Sequence, residues 1–219
     1  MKRLLGILAI TALAASAFAQ GTVVLQNQTG LVKQWTSTTD NTLITTPQNG
    51  GYVELITAPA GTALVNPLFT SVPGGQFANY SSLAGFVAAN PGWSFAQGNP
   101  APAIIGFGAG LFNGGMLTIP GIPPGGPAEY MIIGWTGAYT TFEAAYSAYA
   151  SDPSSSFIGI SAIDYIAKTG DPTSTPPGTA VSLRPTFTGI TFAPPIPEPP
   201  SFALAGLGLA ALLVLRHRR

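Results

Sequence analysis

Apolar positions along this chain fall into three regimes. Leu4 to Ala15 is a nearly unbroken apolar run behind Lys2 and Arg3, and Ser201 to Leu215 is a second, ahead of Arg216. Between them, short apolar stretches are separated by Gly, Pro and Asn. Strand signals fall at Gly21 to Gln28, Leu31 to Thr36, Tyr52 to Ala58, Gly115 to Ile119, Tyr130 to Thr136, Phe157 to Ile160 and Phe187 to Phe192. About seven to nine short strands between turn signals predict an all-β domain, an antiparallel sandwich of the jelly-roll or Ig-like kind. One short helix interrupts it. Thr140 and Glu143 stand as a capping box, Phe142, Ala145, Tyr146 and Tyr149 follow with helical spacing, and Asp152-Pro153 ends the run. That spacing places the aromatics on one face, which predicts packing on a sheet edge; a ligand-binding tyrosine stripe is the sharper alternative. Pro59 to Gln76, Asn90 to Asn113, Pro120 to Pro127 and Thr169 to Thr179 read as loops, because proline lacks an N–H and glycine is free in φ.

The two terminal runs carry the clearest signals. Lys2-Arg3, an apolar core of about a dozen residues and the small-x-small triplet Ala17-Phe18-Ala19 are the parts of a cleavable secretory signal, a helix removed between Ala19 and Gln20. An uncleaved anchor is the plainer alternative. At the other end, Ile196-Pro197-Glu198-Pro199-Pro200 precedes SFALAGLGLAALLVL and then Arg216-His217-Arg218-Arg219. Fifteen helical residues reach roughly 22 Å against a hydrocarbon core of roughly 30 Å. Pro200 and Ser201 suit a helix start, and arginines that snorkel to the headgroups extend the reach and mark the cytoplasmic side. A transmembrane helix over 201–215 is therefore expected, with an ordinary tail anchor as the plainer reading.

A Pro-Glu-Pro signature, a short Leu/Ala/Gly helix and a terminal arginine cluster, in that order, resemble the PEP-CTERM sorting signal of exported bacterial proteins. Pro197, Glu198 and Pro199 match the motif, and Arg216, Arg218 and Arg219 match the basic tail. Pro200 departs from the Ser or Thr that commonly follows. The resemblance implies recognition in the inner membrane by an exosortase-type processing enzyme, then delivery to the cell surface or an exopolysaccharide-containing extracellular matrix. The expected organisation is a signal peptide over 1–19, an extracytoplasmic domain over 20–196 and the sorting signal over 197–219.

Composition then narrows the chemistry. The chain has 219 residues, with 27 Gly, 21 Pro, no Cys and a single His, His217. Residues 20–196 therefore lack Cys and His, which excludes Ser-His-Asp triads, thiolate nucleophiles and histidine- or cysteine-ligated metals there. The net charge of zero divides unevenly: this middle region carries Lys33, Lys168 and Arg184 against Asp40, Glu54, Glu129, Glu143, Asp152, Asp164 and Asp171. Such a balance lacks the basic footprint of a nucleic-acid binder. Gly106-Phe107-Gly108-Ala109-Gly110 fails the phosphate-loop spacing, and no D-x-D-x-D-G calcium loop occurs, so neither cofactor nor metal is expected. Paired carboxylates are the one catalytic constellation these residues allow, and nothing in their spacing selects a pair.

Trp35, Trp93 and Trp135 with Tyr52, Tyr80 and Tyr139 offer flat faces for sugar rings. Trp35 and Trp135 sit inside apolar strand patterns and read as core. Trp93, after the Asn90-Pro91-Gly92 turn, is the candidate exposed glycan contact. The expected function is that of a non-enzymatic exported protein with a structural or matrix-associated role; the alternative is a carbohydrate-binding module that holds extracellular polysaccharide.

Overall fold

The computed structural model describes residues 20–72, 75–98 and 102–195. The signal run, with Ala19, and the segment from Ile196 onward, with the sorting motif, the apolar run and the arginines, lie outside the described residues. Fourteen strands and two short helices make up the described chain.

The fold is built around β4 (Gly51–Pro59) and β10 (Ala128–Thr136), nine residues each, antiparallel along their whole length with Val53 opposite Gly134 and Leu55 opposite Ile132. Side chains alternate across a strand, so both faces of this pair can carry apolar residues, and both do. Val53, Leu55, Tyr130 and Ile132 point to one side and pack with Val23 and Leu25 of β1 (Gly21–Gln26) and Leu117 and Ile119 of β9 (Asn113–Ile119). Ile56, Ala58, Met131, Ile133 and Trp135 point to the other and pack with Leu83 and Phe86 of α1 (Leu83–Ala88) and Phe142, Ala145 and Tyr149 of α2 (Phe142–Ser151). Full burial of each such side chain contributes about 1.5–3 kcal/mol.

The central sheet is completed by β7 (Ser94–Phe95) and β8 (Ala103–Ile104) on β4, and by β11 (Ile158–Ile160) and β12 (Asp164–Ile166) on β10. A three-stranded sheet orders β13 (Val181–Ser182), β1 and β9; a second orders β14 (Ile190–Phe192), β2 (Val32–Trp35) and β3 (Leu43–Thr45). A small hairpin joins β5 (Phe69–Val72) and β6 (Gly75–Ala78).

All seven expected strands are present, and the chain is predominantly β with few helices, as its apolar pattern predicts. Three features depart from expectation. Two pairings, β1 with β13 and β2 with β14, are parallel, so the arrangement is not purely antiparallel. A second helix, α1, starts at Ser82, whose hydroxyl accepts from the Gly85 amide; Gly85 inside so short a run hides it from a periodicity reading. Within the stretches read as loops, β5–β6, β7 and β8 form as two- to four-residue strands.

Glycine has a packing role where β14 crosses the central sheet. A Cβ on Gly159 would run into the Thr191 carbonyl, and one on Gly134 would lie 2.8 Å from the Phe192 ring. Both absences make room for Phe192, which is fully buried against the sheet.

Candidate functional site

A groove of about 610 Å³ runs along the β14–β2–β3 sheet. Its walls come from Leu31, Lys33, Trp35 and Leu43, from Ile160, and from Thr188 to Thr191 and Ala193 on the last strand. Period-two geometry makes the face: Lys33 and Trp35 point the same way, with Thr45 opposite Lys33 and Leu43 opposite Trp35. Trp35 is half-buried, Lys33 exposed, and Leu43 47% exposed. No carboxylate stands among the residues that form the wall. Asp164 lies behind the rim, 8% exposed, where its carboxylate accepts from the Thr188 amide at 3.2 Å and the Thr188 hydroxyl at 3.1 Å.

A second, smaller cleft of about 230 Å³ lies on the helical side of the central sheet, between Glu54, Phe95, Pro102, Thr141, Phe142 and Glu143. It brings together two carboxylates that sequence spacing could not select. Burial, with Glu143 nearby as a second negative charge, pushes Glu54 up from 4.5 to about 7. Glu143 does not close a capping box. The N-cap of α2 is Thr141, whose hydroxyl accepts from the Ala144 amide at 3.3 Å, while the Glu143 carboxylate accepts from the Leu83 amide at the start of α1 at 3.2 Å. Thr140 is therefore not the cap. Two adjacent threonines make the two registers locally equivalent, and the tertiary contact to Leu83 decides between them.

The tyrosine stripe of α2 packs as core. Trp135 lies between Tyr52, stacked at 6.3 Å, and Phe142, edge-on at 5.9 Å, and the series continues through Tyr146 to Tyr149. Trp135 is fully buried and its indole N–H donates to the Tyr139 carbonyl at 2.6 Å.

Trp93 is not the exposed aromatic that its turn suggests. It is 3% exposed, packs in the core beneath the helices, and donates its indole N–H to the Ala63 carbonyl at 3.4 Å. The preceding turn is itself tied down: Asn90, fully buried, donates through its amide to the carbonyls of Asn66 and Phe86 and accepts from the Asn66 amide. No indole face is left open there for a sugar ring. Trp35, half-buried, packs against the core as its apolar strand pattern predicts, and its remaining surface fronts the groove. Among the described residues no three His, Asp or Glu side chains gather as metal ligands. No helix of the described residues is long and apolar enough to cross a membrane; the run 201–215 lies outside them.

Gln20, half-buried, immediately precedes β1, whose first amide, that of Gly21, donates to the Ile122 carbonyl at 2.9 Å. At the other end β14 leads through Ala193, which exchanges both backbone hydrogen bonds with Ile158 at 3.1 Å, to Pro195, still buried. The next residues are those of the proline-rich motif. Residues 195–219 match the family model of the PEP-CTERM protein-sorting motif. The chain carries a PEP-CTERM sorting signal. It follows that the protein is exported, passes through a membrane-anchored sorting step and is handled by an exosortase-type enzyme. The PEP-CTERM match covers the tail alone, and no curated protein and no solved structure is detectably similar to the chain.

Proposed function

We propose that this protein is a structural or matrix-associated component of the bacterial cell surface, without enzymatic activity, delivered by its PEP-CTERM signal. In this reading the signal peptide is removed between Ala19 and Gln20. Residues 201–215 hold the precursor in the inner membrane with Arg216, Arg218 and Arg219 on the cytoplasmic side, and Pro197-Glu198-Pro199 is the element the processing enzyme reads. A sandwich-like body over 20–196 is then released to the surface or to an exopolysaccharide-containing matrix, and it needs no metal or cofactor.

The observation that carries this reading is the sorting match at 195–219 joined directly to a β-rich body whose last strand is packed in the core. The absence of Cys and His from residues 20–196 supports a non-catalytic role. Intact-mass measurement on native protein from the surface fraction tests it: the mature chain is expected to begin at Gln20 and to lack Arg216 to Arg219. Surface protein that retains those arginines would replace sorting with simple anchoring. The carbohydrate-binding alternative has lost Trp93 as its platform, and Trp35 is what now supports it.

A further inference from the structure

We propose that the Lys33–Trp35–Leu43 face is a membrane-docking surface, which seats on anionic phospholipid headgroups while the precursor is anchored for sorting. The inference rests on the membrane-anchored step that the PEP-CTERM match implies, and adds to it a defined orientation of the body.

β14 runs parallel to β2, with Ile190 beside Val32 and Phe192 beside Gln34. The chain therefore leaves the body at the end of β2 where Trp35 and Leu43 form the last rung. Because Ala193 to Pro195 stay buried, the exit point is fixed, not placed at the end of a loose arm. Only Ile196 to Pro200 separate it from Ser201, the first residue of the apolar run. Even fully extended, five residues span at most about 18 Å. Anchoring 201–215 thus tethers the exit point within about 20 Å of the hydrocarbon boundary, so the Trp35 end of the groove can reach the headgroup layer, roughly 5–8 Å deep on each side.

The side chains there suit that environment. Trp35 offers an apolar ring with a polar N–H, the combination that concentrates at membrane–water interfaces. Leu43, 47% exposed beside it, adds apolar area. Lys33 is one of three basic residues of a body with seven acidic ones, and its wall contains no carboxylate. Of the neighbouring acids, Asp164 is buried behind the rim on Thr188. Asp40, exposed in the β2–β3 turn and bonded to the Thr42 amide at 2.9 Å, stays ionised and opposes an anionic surface, so the apolar contacts of Trp35 and Leu43 must carry the docking with Lys33. A lysine flanked by a tryptophan and a leucine suits the interface of an anionic lipid surface, the lysine meeting the phosphates and the apolar side chains the layer beneath. Tethering keeps the effective concentration high, so these few contacts suffice.

The test uses the full chain in vesicles of phosphatidylcholine and phosphatidylglycerol with brominated acyl chains, which quench tryptophan near the bilayer. Trp93 and Trp135 are buried at 3% and 0% exposure, so quenching reports on Trp35. Marked quenching is expected, absent in Trp35→Phe, and the docked population falls about fivefold in Lys33→Gln, the loss expected for one basic residue at an anionic surface. Protein that floats with the vesicles but leaves Trp35 unquenched overturns the docking alone. Protein that does not float removes the anchoring and the docking with it. If the host's own polysaccharide, added in excess, releases the quenching and shields Trp35 from acrylamide, the groove is a glycan site and the lipid assignment fails.

Discussion

The two faces of the β4–β10 pair are lined by alternate residues of the same two strands, yet they are covered in different ways. Over one face lie other strands, β1, β9 and β14, and the contact is tight: glycines at 134 and 159 are needed for Phe192 to fit at all. Over the other lie two short helices and an aromatic series, and there the cover leaves a cleft at Glu54 and Glu143. A sheet laid on a sheet presents a continuous surface, whereas a six-residue helix and a ten-residue helix touch it only along narrow stripes. The difference teaches where this protein tolerates change: the strand-covered face has no slack, and the helix-covered face holds partly solvated charge.

The largest expected effect probes the tight face. Gly159→Ala places a methyl against the Thr191 backbone, which cannot move aside as a flexible side chain would, and should destabilise by about 3 kcal/mol. A urea midpoint unchanged from the parent would show that β14 is free to lift. The second test concerns the loose face. With its pKa raised from 4.5 to about 7, Glu54 holds a proton in the folded chain that the unfolded chain has released between those values. Its contribution is therefore most favourable below pH 4.5, worsens as pH rises through that window, and is fully unfavourable above 7. The full shift corresponds to roughly 3 kcal/mol, lowered by the solvent that the half-buried side chain still meets. Glu54→Gln should accordingly raise stability by about 1–2 kcal/mol at pH 8 and by little at pH 4. Equal gains at both values would place Glu54 in solvent. The smallest effect separates the two threonines: Thr141→Ala should cost about 1 kcal/mol and Thr140→Ala less than about 0.5, read by thermal unfolding. The reverse order would restore the capping box.

How much of this was legible in the sequence follows the range of the interactions involved. The long strands β4 and β10 announce themselves because nine residues of apolar pattern outweigh any local alternative. The sorting signal is legible because a processing enzyme reads it as a linear string. By contrast, the parallel pairing of β14 with β2 joins residues some 158 positions apart (Ile190 with Val32), and no local signal encodes it. Trp93 shows the same limit in one side chain: Asn90-Pro91-Gly92 specifies a turn, but the buried bonds of Asn90 to Asn66 and Phe86 decide that the turn folds inward. The groove at Trp35 and the meeting of Glu54 with Glu143 needed the assembled sheet for the same reason. Glu143 was spoken for locally by a capping box that the Leu83 amide then claimed.

The seating of β14 has a mechanical consequence. Any pull on the sorting tail, whether during translocation or extraction from the membrane, enters the body through Pro195 and Ala193. A pull in line with the strand acts along the ladder with β2 and the paired bonds to Ile158, so they resist together in shear instead of opening one by one. Phe192, pressed onto two glycines that leave no room to slide, works as a cleat. The tail can be hauled on by its handlers without unravelling the cargo.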